Sequence, residues 1–356
     1  MDNYFNLQHF ADAGTLVNAT GNFVNAGTGA TTAFDNDHSL SAELKAFYDT
    51  ELLENARTEL FYAQLAKRQP LPANHHGSVE WRKWNTFDRA AKLTEGVIPT
   101  GQKFGVTAVT GSIDQYGTYT AITDKLELRA YDDVILGATE EMGASAAETQ
   151  EALIRDALYT NTNVLYCDKI TRADGSVGTV PAQNSDLVED ATYHCHLTPE
   201  MVNKAVTVMK KNRVPRIGGK YYAVIHPSVA HDLRASDSWI EAHKYASPEE
   251  IYNGEIGELH GVRFIENVFA PVIKEGSGNA AVYASYFFGK DSFGIIDPEG
   301  GALEMIIHDK GEIGGPLNQF STIGYKFETN GATILYPERL LRVMSTSSFS
   351  GSDEEN

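Results

Sequence analysis

His194, Cys195 and His196 stand side by side, and imidazole and thiolate are ligands that zinc accepts. A closed zinc site takes about four such ligands, usually from two spaced pairs, and the chain offers no second Cys pair and no His-x3-His partner. Adjacent residues of a strand also point to opposite faces, so the three cannot converge. His75-His76 follows a double-proline turn and fails the same test. No metal is therefore expected. Gly218-Gly219-Lys220 lacks the upstream Gly and the following Ser or Thr of a phosphate loop, and is read as a tight turn before a strand. Gly27-Thr28-Gly29 lacks the third glycine of a dinucleotide fingerprint. Neither a Gly-x-Ser-x-Gly elbow nor His-Glu-x-x-His occurs. The acid pairs Glu140-Glu141, Glu249-Glu250 and Asp132-Asp133 read as solvated helix faces or helix starts. No catalytic residue and no cofactor is assigned.

Trp81-Arg82-Lys83-Trp84 is the remaining constellation. Alternating aromatic and basic residues can stack and neutralise a single strand of nucleic acid. The chain as a whole carries a net charge of -19 over 356 residues, which argues against a nucleic-acid binder, because phosphate contacts supply most of such affinity. Trp and Arg also anchor protein interfaces, and a subunit contact is the preferred reading. Two cysteines, Cys167 and Cys195, make no disulfide framework and are expected to be free thiols. No run approaches the roughly 20 apolar residues of a membrane helix, and Met1-Asp2-Asn3-Tyr4-Phe5 lacks the basic start of a secretory signal.

The elements that must position these residues follow from periodicity. Residues 1–38 are rich in Asn, Gly, Thr and Ala and read as an arm that cannot fold alone; Leu16, Phe23 and Phe34 are its anchors for a neighbour's groove. From Ser39 an apolar stripe through Leu44, Phe47, Leu52, Leu60 and Leu65 predicts a helix, with Lys67-Arg68 in its last turn and Pro70 and Pro72 beyond. Residues 74–130 are extended and punctuated by glycine, with strands over Phe104 to Val109 and Tyr116 to Ile122. A projecting hairpin of that kind is unstable alone, so Trp81 to Tyr119 is expected to make most of its contacts with another chain. Deleting Ala91 to Gly117 is then expected to leave a folded subunit.

A helical pattern of about 33 residues follows, from Tyr131 to about Leu165, a rod of roughly 50 Å at 1.5 Å per residue. Beyond Gly175 the pattern is mixed. A helix opens at Thr198-Pro199-Glu200 and another at Pro227, with strands at Tyr221 to Ile225, Gly261 to Ile265, Ala281 to Phe288 and Leu303 to Ile307. Tyr245 to Leu259 reads as loop and helix. Two last strands cover Ser321 to Thr329 and Gly331 to Val343, before a Ser-rich acidic tail from Ser345 to Asn356.

This order of elements, an α+β arrangement, resembles the major capsid proteins of tailed bacteriophages, whose shell fold also occurs in herpesvirus capsids. The stretches that carry the resemblance are Thr50 to Leu53 through Gln64 to Ala66, Gly77 to Trp84, and Leu93 to Val97; Tyr131 to Thr162 matches the spine helix. It is nearest to the branch found in some short-tailed phages, and Asn6 to Ala11 is similar to a leader on many phage structural proteins.

The resemblance implies an arm (1–38), an N-terminal helix (39–73), an extended loop (74–130), a peripheral domain with the spine helix (131–185), an axial domain (186–320), and returning peripheral strands with the acidic tail (321–356). It implies a virion protein without enzymatic activity, assembled in the host bacterial cytoplasm. That protein pairs with itself into hexamers and pentamers and encloses DNA without binding it specifically. Scaffold, portal and decoration proteins are its further partners, and no membrane is involved. The expected inter-subunit contacts are Leu16, Phe23, Phe34, Trp81, Arg82, Trp84, Phe104, Tyr116 and Tyr119. Another phage structural subunit (portal, decoration or tail) is the alternative, and an enzyme of unrecognised type is a third.

Overall fold

The Thr198 side chain accepts the Met201 amide at 3.3 Å and Pro199 occupies the first helical position, so a helix starts here, where the sequence places it. It belongs to a computed structural model that describes residues 61–72, 77–84, 101–129, 134–236, 255–299, 303–308 and 319–356, with single positions 87, 89, 90, 92, 95, 96, 98, 239 and 301.

Along the described residues run α1 (Tyr62–Leu65), β1 (Lys67–Leu71), β2 (Ser78–Trp84), β3 (Val106–Ser112), β4 (Asp114–Thr123), α2 (Asp124–Arg129), α3 (Val134–Tyr159), β5 (Val164–Tyr166), β6 (Ile170–Thr171) and β7 (Tyr193–His194). Then come α4 (Pro199–Lys211), β8 (Tyr221–Ile225), α5 (Pro227–Arg234), β9 (Glu255–Leu259), β10 (Val262–Glu266), β11 (Val272–Ile273), β12 (Val282–Phe288), β13 (Phe293–Pro298) and β14 (Glu304–His308). Last are β15 (Phe320–Thr329), β16 (Thr333–Ile334) and β17 (Leu340–Ser345).

Two units result. The larger comprises Phe61–Ile113, Glu151–Ile296 and Asn330–Asn356. Its main sheet has the order β5-β17-β12-β8-β10-β9, with β11 on β12; β8 and β10 are parallel, as are β17 and β5. The apolar stripe of α4 (Met201, Val202, Ala205, Val206, Met209) and Val229, Ala230 and Leu233 of α5 share one core with Tyr221, Ala223, Ile225 and Phe264 of that sheet. Strand β12 is buried at all its positions, which is why it reads as an unbroken apolar run. On it lie Tyr62, with rings 6.0 Å from Tyr286 and 6.3 Å from Phe288. Tyr62 also donates its amide to the buried Glu151 carboxylate at 3.1 Å.

The smaller unit's described part comes from Asp114–Gln150 and Asp297–Thr329. Strands β14-β15-β4 form its antiparallel sheet, and β4 pairs with β15 in unbroken register from Asp114↔Thr329 to Thr123↔Phe320. Gly324 lets the strands close up, since a Cβ there would lie 2.8 Å from the Thr118 carbonyl oxygen.

The structure corrects several expectations. Lys67 and Arg68 lie in β1 beside β13, not in a last helical turn; Pro70 disfavours helix for the residue before it and suits an edge strand. Residues 124–129 are helical within the segment expected to be extended, because Thr123 caps them by accepting the Leu126 amide at 3.3 Å. Helix α3 stops at Tyr159, about 39 Å long. There the Asn161 and Asn163 side-chain amides both donate to the Leu340 carbonyl, at 2.6 and 3.0 Å, and Val164–Tyr166 joins β17. Residues 255–259 form β9 rather than helix, and Pro337 begins a 3-10 turn that divides the expected last strand into β16 and β17. Strand β13 was not expected. In the main sheet β17 lies between β5 and β12, so one sheet draws its strands from residues 164–166, 282–288 and 340–345. Helix 39–60 lies outside the described residues.

Nor is the C-terminus a loose tail. Ser348 donates through its amide and hydroxyl to Asp232 (2.9 and 2.6 Å), and Asp353 accepts from Ser228 (2.5 Å) and Tyr283 (2.6 Å). Asn356 accepts the Val272 amide and donates to the Ala270 carbonyl, at 3.1 and 3.2 Å. Burial pushes the Asp232 and Asp353 carboxyls up, but the hydroxyl and amide donors outweigh it and hold both below the ordinary value of 3.8. Their folded values are depressed, so the stabilisation is complete above that ordinary value and is lost as pH falls through the folded ones. The urea midpoint is expected to drop below about pH 4, and to drop less in Asp232→Asn/Asp353→Asn. Equal pH slopes for the two proteins would refute the clasp.

Candidate assembly interface

The two tryptophans of Trp81-Arg82-Lys83-Trp84 stand three apart in β2, so strand alternation sends them to opposite faces. Val79, Trp81 and Lys83 turn inward; Ser78, Glu80, Arg82 and Trp84 turn outward. β2 pairs with β3 over its whole length, which sets Val109 opposite Trp81 and Val106 opposite Trp84.

Trp81 is only 8% exposed and packs with Leu71, Ile296 and Leu335. Its ring lies over two glycines, where an added Cβ would come within 2.8 Å (Gly111) and 2.9 Å (Gly294). On the same face, Lys83 bonds Glu338 at 2.8 Å and sits over the Tyr336 ring at 4.5 Å, while Arg339 lies over that ring at 3.7 Å. Burial raises the Glu338 carboxyl, yet the Lys83 bond brings it below its ordinary value. The inner face of the hairpin is thus bound to its own unit.

The outer face is not covered. Trp84 (57% exposed) stacks on Phe104 (57%) with centroids 4.5 Å apart and planes at 16°. Phe87 (58%) also stacks on Phe104, at 5.4 Å and 18°. Val106 and Ile98 are exposed too. Arg82 is exposed beside them, bonded to Glu80 at 3.0 Å. Contiguous uncovered aromatic surface of this kind marks an interaction site.

Of the expected contacts, the structure places Arg82, Trp84 and Phe104 on the exposed face of the hairpin and buries the Trp81 ring within its own unit. Tyr116 and Tyr119 belong to the smaller unit: Tyr116 stacks on Phe327 at 5.8 Å, and Tyr119 is exposed beside Gly324. Leu16, Phe23 and Phe34 lie outside the described residues. Sequence reading missed Phe87, Ile98 and Val106. Isolated apolar residues in a glycine-punctuated run carry no periodicity, so the only signal was their presence in a polar stretch.

His194 and His196 lie together with ring centroids 4.3 Å apart, and Cys195 is buried in the main core with Cys167. His196 Nε2 is 2.8 Å from Glu189, which also pairs with Arg172. Burial, then the neighbouring His196 and Arg172, push His194 down. Burial pushes both thiols up, the reverse of what a nucleophile or a metal-binding thiolate requires. Among the described residues no three His, Cys, Asp or Glu side chains are grouped to hold a metal. Gly218 and Gly219 take φ of 57° and 87° between bridged Ile217 and Lys220, a tight turn as expected.

No curated protein matches this chain. The fold is similar to solved phage capsids. One is the capsid of Ralstonia phage GP4 (13% identity, 94% of this chain and 99% of that one, TM-score 0.60). Others are the capsid of cyanophage P-SCSP1u (15%, 90% and 96%, 0.57) and an acidic stable capsid of Helicobacter pylori bacteriophage KHP30 (10%, 92% and 97%, 0.60). Residues 107–332, more than half of the sequence, match the profile of a family described as phage capsid protein, so this chain belongs to that phage capsid protein family.

Proposed function

We propose that this chain is the major capsid subunit, which associates with itself into hexamers and pentamers and closes an icosahedral shell around packaged DNA. The observation that carries the reading is the stacked Trp84, Phe104 and Phe87 surface, uncovered on a hairpin whose inner face its own unit holds fixed. A rigid mount with an open apolar face suits repeated docking on identical neighbours. Many such contacts make a closed lattice stable even when each is modest.

The net charge of -19 suits a wall that releases DNA without sticking to it. Assembly takes place in the host bacterial cytoplasm, with scaffold, portal and decoration proteins as further partners, and the subunit performs no catalysis. Negative-stain microscopy of the purified recombinant chain is expected to show closed particles. Rings of fixed copy number would favour a portal, open tubes a tail subunit, and either would overturn the reading.

A further inference from the structure

Trp81 carries a polar atom that its packing does not use. Its side chain is 8% exposed, and its indole N–H, a donor with no acceptor capacity, has no hydrogen-bond partner among the described residues. A buried donor left without an acceptor is costly. The same residue forms part of the wall of a cavity of about 60 Å³. The other walls come from separate stretches of the larger unit: Lys67 at the start of β1, Lys83 of β2, Val109 across the hairpin, and Leu335 with Tyr336. Arg82 borders the cavity too, although strand alternation turns its side chain to the outer face.

The chemistry of these walls is one-sided. Lysine ammonium groups and the indole can only donate, and no carboxylate or side-chain amide lines the space. Glu338 holds Lys83 at 2.8 Å, but an ammonium group has further donors to give. Lys67 is exposed and has no ion-pair partner among the described residues. Arg339, over the Tyr336 ring at 3.7 Å, adds a third positive charge close by. A cation would meet like charge here, and a neutral molecule would leave the charge uncompensated. The space has room for about four or five water-sized groups, enough for one tetrahedral oxyanion.

We propose that this cavity is an anion site that takes a phosphate group, with the Trp81 indole and the Lys67 and Lys83 ammonium groups donating to its oxygens. Charge-assisted hydrogen bonds of this kind are the strong class. The bound group ties β1, the hairpin and residues 335–336 together, so it steadies the inner face of the hairpin and leaves the outer aromatic face untouched. The site stands independently of the shell-subunit reading. A free phosphate ion and a phosphodiester of nucleic acid present the same oxygens; the net charge of -19 disfavours the approach of a polyanion and favours the free ion.

Equilibrium dialysis of the full chain against radiolabelled inorganic phosphate, with chloride balancing the ionic strength, is expected to find about one phosphate per chain and a urea midpoint raised by phosphate. Trp81→Phe keeps a ring in the seat and removes the N–H; Lys67→Glu reverses the charge of an exposed wall. Each is expected to weaken phosphate on the order of tenfold, the loss of one hydrogen bond to a charged group, with native circular dichroism. No saturable binding by the wild type, or either folded variant binding phosphate like the wild type, overturns the proposal. If Trp81→Phe unfolds the chain, Lys67→Glu decides, since Lys67 lies outside the core. A short DNA duplex then distinguishes the sources. Labelled phosphate retained in its presence assigns the site to the free ion; displacement by the duplex at equal phosphate concentration assigns it to the phosphodiester backbone.

Discussion

Replacing Trp84 and Phe104 together by alanine is expected to abolish assembly and leave the subunit folded. Both rings are more than half exposed, and they contact each other and Phe87 rather than a core. Their loss removes a stacking contribution of about 0.5–1.5 kcal/mol from the hairpin tip, so the urea midpoint moves little. In an interface the same rings are anchors, and truncating one such anchor typically costs about 2 kcal/mol or more. On the proposed reading every subunit of a shell makes the contact, so the loss compounds. Sedimentation and microscopy are the readouts. Particles at wild-type yield would show that the stack faces solvent in the assembled state.

The wider deletion of Ala91 to Gly117, expected from the sequence to be harmless to folding, has the opposite forecast once the structure is known. It would remove β3 with Gly111, over which Trp81 packs, and the first residues of β4, which pair with β15. The hairpin is therefore part core and part exposed face, divided by strand alternation.

That division explains what was legible beforehand. Helix α4 was readable because its cap, its first proline and its apolar stripe agree on one start and one face. Strand β12 was readable because burial on both faces leaves an uninterrupted apolar run. The short β5 and the end of α3 depend on partners more than 100 residues away, such as the Leu340 carbonyl that Asn161 and Asn163 bind, and the two-residue β16 depends on β13, about 40 residues before it. No local window holds that information. The same limit applies to the interface. Trp81 and Trp84 are chemically equal in the sequence, and alternation alone says that they part without saying which one turns inward. Pairing of Trp81 over Gly111 and Gly294, two glycines 30 and more residues away, decides it.

Trp81→Ala is accordingly expected to act on stability, where Trp84→Ala acts on assembly. The ring is buried among Leu71, Ile296 and Leu335 and seated over two glycines whose missing side chains leave no atoms to fall into the gap. A buried Trp or Phe replaced by alanine typically costs about 3–5 kcal/mol, the transfer of the lost atoms plus the cavity that remains. Poor collapse around backbone glycines places this site toward the upper part of that range. Glycine to alanine at 294 tests the same packing from the other side: the new methyl would meet the Trp81 ring at 2.9 Å, and overpacking of this kind costs about 1–3 kcal/mol. Urea unfolding followed by tryptophan fluorescence and by circular dichroism measures both. A Trp81→Ala chain less than about 1 kcal/mol below the wild type would place the ring outside the core and return it to the contact surface with Trp84.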